Sequence, residues 1–191
     1  MKVTLLGAGA WGTAMAVQAA RHLQEGDVCL WSRSKQQLED IQKSNENRAY
    51  LPGIQLPEGL KCERDFSSAI KRLSGDDLLV IATPMSGLAE TIGQVLKIAE
   101  HPLNIIWLCK GLEPNTALLP HQVVERESKI HSHGIAHSFG ALSGPSFARE
   151  VGAGMPCALT VASKSTKLCE IVQAAFHLSL IHISEPTRLL S

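Results

Sequence analysis

The sequence lacks an excess of charge of either sign and lacks any long apolar run. Its 191 residues include 18 Lys and Arg and 18 Asp and Glu. Nucleic acids and anionic membranes attract clustered positive charge, so this balance indicates neither as a partner. No window approaches a membrane span, and the apolar run at residues 3–6 ends in glycines instead of continuing as the core of a signal peptide. We therefore expect a cytoplasmic protein.

The sequence also lacks the spacing of a disulfide framework or a metal centre. Its five cysteines are widely spaced and include no C-x-x-C pair: Cys29, Cys62, Cys109, Cys157 and Cys169. This pattern is typical of reduced, mostly buried thiols. His131, His133 and His137 have no carboxylate or cysteine between them, so we interpret them as part of a polar loop and expect no bound metal. No nucleophilic triad pattern is present.

What the chain does contain is an alternation of strand and helix patterns. Short apolar runs occur at residues 3–6, 27–31, 60–63, 78–83, 103–109, 140–144 and 158–163, and helical patterns at 14–23, 35–43, 88–99 and 118–130. Strands separated by helix-length segments predict βαβ units and a mainly parallel sheet covered on both faces. The proline- and glycine-containing stretch 47–59 predicts a structured loop beside a cofactor.

The most informative motif is the G-x-G-x-x-G at residues 7–12, which follows an apolar strand and opens an alanine-rich helix. In this context the motif predicts a dinucleotide site. Gly7 makes the tight turn, Gly9 lets the backbone approach a pyrophosphate, and Gly12 lets the helix pack closely on the strand. The phosphates are then expected at the helix N-terminus.

The end of the second strand predicts the choice between NAD and NADP. A strict NAD site has Asp or Glu there to bind the ribose, whereas this strand ends Trp31-Ser32-Arg33. Asp27 lies at the start of that strand, so we interpret it as a turn residue. Ser32 as a donor and Arg33 as a charge partner would suit a 2′-phosphate. The alternative is that Arg33 is simply a solvated surface arginine.

Two further strand ends and one loop carry polar groups. Thr83-Pro84 and Lys110-Gly111 close the fourth and fifth strands, so both are expected to face the cofactor crevice. Lys110 there could polarise a carbonyl or could be solvated. Residues 143–150 read as a loop that starts a helix, with Pro145 near the first turn and Glu150 close enough for capping.

Together these motifs resemble the bacterial-type NAD(P)-dependent glycerol-3-phosphate dehydrogenase family. The resemblance rests on GAGAWGTA at 7–14, WSR at 31–33, NRAYLP at 47–52, TP at 83–84, CKGLEP at 109–114 and SGPSFAREV at 143–151. It implies a Rossmann-like doubly wound domain that binds NAD(P) and serves hydride transfer between sn-glycerol 3-phosphate and dihydroxyacetone phosphate. The family's helical C-terminal domain, which carries the general-base lysine, is absent from this chain.

The resemblance also implies roles for individual residues. The cofactor would be bound by Gly7, Gly9, Ala10, Trp11, Gly12, Ser32, Arg33, Tyr50, Pro84, Lys110 and Ala148. The substrate would be contacted by Lys110, Gly144 and Ser146, with Lys110 as the catalytic group that polarises it. The chain alone is expected to be inactive, and the full-length enzyme could be a homodimer.

The last residues differ in character from the rest. Residues 178–188, LSLIHISEPTR, match the translation of a transposon-end sequencing adapter. We interpret 1–177 as the dinucleotide-binding domain and 178–191 as a non-native tail, which is left out of fold reasoning. The alternative for the tail is a genuine amphipathic C-terminus.

Two other functions stay open at this point. One is a stand-alone dinucleotide-binding module without catalysis. The other is a related two-domain 3-hydroxyacid or ketopantoate reductase, which shares the front domain but is disfavoured by the KGLEP and SGPSFAREV motifs.

Overall fold

Strands and helices alternate in the computed structural model, which describes residues 1–176. The strands are β1 (Val3–Leu6), β2 (Val28–Trp31), β3 (Lys61–Glu63), β4 (Leu78–Ile81), β5 (Asn104–Trp107), β6 (Ser138–Ser143) and β7 (Thr160–Ser163). The helices are α1 (Ala10–Ala20), α2 (Lys35–Ser44), α3 (Phe66–Lys71), α4 (Met85–Ile98), α5 (Pro120–His131), α6 (Ala148–Gly152) and α7 (Thr166–Phe176). The predicted non-native tail and residue 177 lie outside the described residues.

All strands form one seven-stranded sheet in the spatial order β3-β2-β1-β4-β5-β6-β7. Strands β1 to β6 pair in parallel, and β7 runs antiparallel to β6. The chain winds outward from β1 to β3, returns to β4 on the other side of β1, and winds outward again. The prediction of a Rossmann-like, mainly parallel α/β fold is therefore confirmed. The order reverses between β1 and β4, which places the expected crevice outside the carboxyl ends of those strands.

The central strands are buried on both faces because helices cover both sides of the sheet. Every residue of β1, β4 and β5 is buried, and side chains alternate between two cores. Val3 and Leu5 pack with α1 and α7, whereas Leu6 packs with α3, α4 and α5. The edge strand β3 is partly exposed and reads Lys-Cys-Glu. The apolar runs of the sequence thus mark the strands that have two covered faces.

Helix starts differ from the sequence prediction where the chain enters a helix directly from a strand end. Helix α1 begins at Ala10, four residues before the predicted start, because Gly9 is its N-cap. Helix α4 begins at Met85 with Pro84 as its N-cap, three residues before the predicted start. These first turns carry few large apolar residues, so the helical period does not reveal them. Both early starts lie at the crevice.

Two helices and one capping detail were not anticipated. Helix α3 is short, and its N-cap Asp65 accepts a hydrogen bond from the Ser68 N–H at 2.7 Å. Helix α7 covers the β6–β7 end of the sheet. Pro145 does not lie in the first turn of α6, as expected, because the helix begins later, at Ala148. Glu150 does cap it, accepting from the Phe147 N–H at 3.1 Å.

The amino-terminal edge of the sheet is closed by the side chain of Arg72, just after α3. Its guanidinium donates to the carbonyl oxygens of Val3, Gly26 and Asp27 at 3.3, 2.8 and 3.1 Å. It therefore satisfies main-chain acceptors from both β1 and the loop before β2.

His137 lies just before β6, in an environment that favours its neutral form. Its Nδ1 accepts a hydrogen bond from the Leu103 N–H at 3.2 Å, and its Nε2 is buried without a partner among residues 1–176. Burial, with a smaller contribution from His101, lowers the pKa of His137. Protonating Nδ1 would also remove the acceptor that the Leu103 N–H uses.

Because the pKa of His137 is lower in the folded than in the unfolded chain, acid should destabilise the fold. Below about pH 6.5, His137 is protonated in the unfolded chain but stays neutral in the folded chain until a lower pH. The free energy of unfolding therefore falls as the pH falls below about 6.5. Urea unfolding at about pH 7.5 and about pH 5.5 measures the loss. In His137→Asn, whose side-chain oxygen can replace Nδ1 as acceptor but does not titrate, the loss should be smaller. An equal loss in both proteins would contradict the assignment.

Candidate functional site

The glycine-rich turn between β1 and α1 has the geometry that its motif predicts. Gly7 has a φ of +122°, and a Cβ there would lie 2.8 Å from the carbonyl oxygen of Ala82. A Cβ on Gly12 would overlap the carbonyl oxygen of Gly7. A Cβ on Gly9, by contrast, would meet nothing within 4 Å. Gly7 and Gly12 thus allow the turn to pack on the end of β4, and Gly9 leaves open space in front of the turn.

The N-terminus of α1 faces that open space without a side-chain cap. The first helical hydrogen bond joins the Thr13 N–H to the Gly9 carbonyl at 2.9 Å. The N–H groups of Ala10, Trp11 and Gly12 precede it and have no acceptor within the helix. The first turn contains no acidic residue. Free N–H groups and the positive end of the helix dipole therefore suit an anionic group such as a pyrophosphate.

The carbonyl of Ala8, inside the turn, is held by two side-chain amides. It accepts from Gln37 Nε2 of α2 at 2.6 Å and from Asn47 Nδ2 at 2.9 Å. The same Asn47 nitrogen lies 2.7 Å from the hydroxyl of Thr13 on α1. Asn47 is 1% exposed, so its two hydrogen bonds form away from solvent. Neither amide was singled out from the sequence, although Asn47 begins the quoted NRAYLP motif.

At the end of β2, the two residues expected to bind a 2′-phosphate differ in exposure: Ser32 is buried and Arg33 is exposed. Ser32 is buried, and its hydroxyl donates to Gln37 Oε1 at 2.8 Å and accepts from the Ser34 N–H at 3.2 Å. Its proton is therefore engaged inside the protein. Arg33 is exposed and has no hydrogen bond or ion pair within residues 1–176. Asp27 lies at the other end of the strand, where its carboxylate is 3.6 Å from the amino group of Met1.

The end of β4 forms the opposite wall of the crevice. The main chain at Ala82 and Thr83 lies against Gly7, and Pro84 is exposed as the N-cap of α4. The Thr83 hydroxyl is buried and has no hydrogen-bond partner among the described residues. Buried hydroxyls are normally paired, so this one is unusual and lies next to the glycine turn.

Lys110 follows β5 and reaches the end of β6. Its Nζ donates to the carbonyl of Gly144 at 3.3 Å. A small cavity brings Lys110 and Gly144 together with Trp11 of α1. A Cβ on Gly144 would overlap the Ala158 carbonyl, so only glycine fits there without a shift. Ser146 lies outside that cavity, and its hydroxyl donates to the carbonyl oxygen of Ala158 at 3.3 Å.

The loop that carries Lys110 is anchored by an ion pair that was not anticipated. Arg126 of α5 donates to the two carboxylate oxygens of Glu113 at 2.7 and 2.8 Å. Hydrogen bonds from Arg126 and from the Thr116 hydroxyl lower the pKa of Glu113 to about 2. The Glu113 side chain is only 12% exposed. The glutamate of the KGLEP motif therefore ties the loop to α5.

Tyr50 lies apart from the Lys110 cavity. It is 56% exposed and lines a groove of about 640 Å³ between α2 and residues 46–50. Asn47 lines the same groove, and its carbonyl accepts from the Tyr50 N–H at 3.2 Å. Ala148 is partly buried against the core around α1. The expected site residues thus fall into a group at the glycine turn, a group around Lys110, and Tyr50 on the α2 side.

Within residues 1–176, no group of three or more His, Cys, Asp and Glu residues could hold a metal ion. His131 lies 3.6 Å from Glu127 on its own helix, and His137 bonds to the backbone of Leu103. The five cysteines are free thiols. Among the described helices, none is both long and apolar enough to cross a membrane.

Known proteins share this chain's sequence and fold. A family model described as the N-terminus of NAD-dependent glycerol-3-phosphate dehydrogenase matches residues 2–169. A glycerol-3-phosphate dehydrogenase [NAD(P)+] of Polynucleobacter necessarius subsp. necessarius (strain STIR1) is 87% identical over 177 residues, which cover 93% of this chain and 52% of that protein. The Cupriavidus necator protein of the same name is 47% identical over 179 residues, with the same coverage.

A solved structure agrees with these sequence matches. The glycerol-3-phosphate dehydrogenase of Coxiella burnetii superposes with a TM-score of 0.82 at 28% identity, covering 97% of this chain and 54% of that one. The chain spans about half the length of the curated relatives it matches. Family and fold together indicate NAD(P) binding. The chain belongs to the NAD-dependent glycerol-3-phosphate dehydrogenase family and corresponds to its N-terminal part.

Proposed function

We propose that this chain is the dinucleotide-binding part of an enzyme that interconverts sn-glycerol 3-phosphate and dihydroxyacetone phosphate. The observation that carries the proposal is the open glycine turn at the uncapped N-terminus of α1, in a chain of this family. A bound nicotinamide dinucleotide would supply or accept the hydride. The polypeptide has to hold that cofactor, orient the substrate carbonyl and stabilise charge on its oxygen.

The cofactor would lie along the carboxyl ends of the strands. Its pyrophosphate would lie against Gly7, Gly9, Ala10, Trp11 and Gly12. The N–H groups of the last three have no acceptor within α1. Arg33 would meet the adenosine ribose or its 2′-phosphate, with Pro84 across the crevice and Tyr50 and Ala148 at its borders. Ser32 would support this region from inside, because its proton is already donated to Gln37.

Lys110 is the group of this chain that we assign to the chemistry. Its ammonium lies beside the Gly144 carbonyl, at a strand end where ligands of such folds bind. From there it would donate to the substrate oxygen and stabilise the negative charge that develops on it during reduction. Gly144 and Ser146 would line the substrate's position. By family likeness the general-base lysine lies in a C-terminal domain, so this chain should bind cofactor without turning over substrate.

We further propose a cytoplasmic location and a homodimeric full-length enzyme. The charge balance of the chain and the absence of a membrane-crossing helix among the described residues are compatible with this location. Family likeness is the only support for the dimer.

Removing the Arg33 guanidinium should weaken NADPH binding more than NADH binding. Arg33→Ala is expected to raise the Kd of the 191-residue chain for NADPH about tenfold and that for NADH less than about twofold. Fluorescence titration with each cofactor measures both values. Arg64→Ala removes another exposed arginine, one that pairs with Glu39, and should change neither. Equal losses for both cofactors in Arg33→Ala would exclude a 2′-phosphate role.

Activity should require the C-terminal domain of the family as well as Lys110. The chain alone should not oxidise NADH or NADPH with dihydroxyacetone phosphate. A fusion of residues 1–176 to the C-terminal half of the Polynucleobacter necessarius relative should do so. In that fusion, Lys110→Met is expected to lower kcat/KM about 10²- to 10³-fold, as loss of one oxyanion donor does.

The matched control is Lys97→Met, which removes an exposed lysine of α4 and should leave kcat/KM unchanged. Turnover by the 191-residue chain itself would refute the need for a second domain. An active Lys110→Met fusion would remove Lys110 from the chemistry.

We also propose that residues 178–191 are not native to the protein, on the ground of their match to an adapter translation. Reading the source genomic DNA across codon 177 without adapters should show the frame continuing into a second domain. If the DNA encodes the same tail and a stop codon, the adapter explanation is wrong. A stand-alone binding module would then become the favoured function.

A further inference from the structure

The turn that faces the proposed pyrophosphate position contains a peptide group with unusual freedom. The Ala8–Gly9 peptide is followed by Gly9, which has a φ of −75° and open space in front of it. Glycine restricts its neighbouring peptide planes far less than other residues do. Such a peptide can turn over and point either its N–H or its carbonyl at a ligand. For an anion these two orientations have opposite effects.

The structure holds this peptide in one orientation from outside the turn. Gln37 Nε2 and Asn47 Nδ2 donate to the Ala8 carbonyl at 2.6 and 2.9 Å, which uses both of its lone pairs. In a trans peptide the N–H points opposite to the carbonyl. The Gly9 N–H is therefore directed away from the two amides. Turning the peptide over would break both bonds and leave one N–H of the buried Asn47 amide without its acceptor.

Each amide is itself fixed by a partner on a different element. The Ser32 hydroxyl, at the end of β2, donates to Gln37 Oε1 at 2.8 Å, which orients Gln37 Nε2 toward the turn. Asn47 is 1% exposed and also lies 2.7 Å from the Thr13 hydroxyl on α1. The clamp therefore connects β2, α2, the segment after α2, and α1. Side chains from α2 and from the segment after it both donate to the Ala8 carbonyl oxygen.

We propose that Asn47 and Gln37 are positioning residues for dinucleotide binding, which hold the Ala8–Gly9 peptide so that N–H groups and not a carbonyl face the pyrophosphate. This inference rests on the proposed function. It assigns Asn47 and Gln37 no contact with the cofactor. Because NADH and NADPH carry the same pyrophosphate, it also requires that loss of the clamp weakens both equally.

The test uses two uncharged substitutions with matched controls in the 191-residue chain. Asn47→Leu is compared with Asn104→Leu. Asn104 is also buried, and its side-chain amide also donates two hydrogen bonds, to the main-chain carbonyls of Gly75 and Asp77. Asn104 begins β5, at the edge of the sheet opposite the crevice. Gln37→Met is compared with Gln36→Met, because the Gln36 amide donates to Asp40 on the same helix and has no bond to the turn among residues 1–176.

Dissociation constants for NADH and NADPH are measured by titration at a temperature where circular dichroism shows each protein folded. Asn47→Leu and Gln37→Met should each weaken both cofactors about tenfold, and the controls should stay within about twofold. A general loosening of the fold would instead weaken binding in Asn104→Leu as much as in Asn47→Leu, and that result would overturn the inference.

Unchanged binding in both clamp variants would also overturn it. If Asn47→Leu does not fold, Gln37→Met decides the question. Gln37 is partly exposed, so we expect the fold to tolerate this substitution. If the unchanged chain binds neither cofactor, the proposed function fails and this inference fails with it. Binding by the unchanged chain separates that outcome from a failure of the clamp alone.

Discussion

The close packing of the glycine turn against the end of β4 is the constraint on which the rest of the site depends. There is no room for a side chain at Gly7 or Gly12, where a Cβ would meet the backbone of Ala82 or of the turn itself. This contact places the N-terminus of α1 directly over the point where the strand order reverses. A larger residue at either position would push α1 outward and move its free N–H groups away from the crevice.

Around this point the site is built mainly from main-chain groups, and side chains serve to hold them. Gln37 and Asn47 orient a carbonyl, and Glu113 with Arg126 anchors the loop of Lys110. Gln37 thus joins α2 to the glycine turn, and Arg126 joins α5 to the loop after β5. Neither the turn nor the loop has regular structure of its own. A parallel sheet delivers many strand ends to one edge but does not order the loops that follow. Buried or partly buried polar bonds supply that order.

The sequence allowed the sheet to be predicted because buried parallel strands are short, apolar and separated by helices. β1, β4 and β5 could be located for that reason, and the glycine motif could be placed on the strand-to-helix turn. The short helix α3 was missed because six residues do not show a helical period. The clamp residues were missed for a different reason. Asn47 and Ala8 are 39 positions apart, and the local sequence around neither residue predicts the hydrogen bond between them.

Ser32 shows how the same limit affects a site prediction. Its position after β2 indicates a polar contact but does not specify the partner, because side-chain direction depends on α2, which the sequence places only approximately. In the structure the hydroxyl turns inward to Gln37, and Arg33 is left as the exposed group at this strand end. In the proposed function, cofactor preference depends on Arg33, whereas the geometry of the glycine turn depends on its neighbour Ser32. A substitution of Arg33 would leave the hydrogen bonds of the turn intact, whereas a substitution of Ser32 would affect the turn through Gln37.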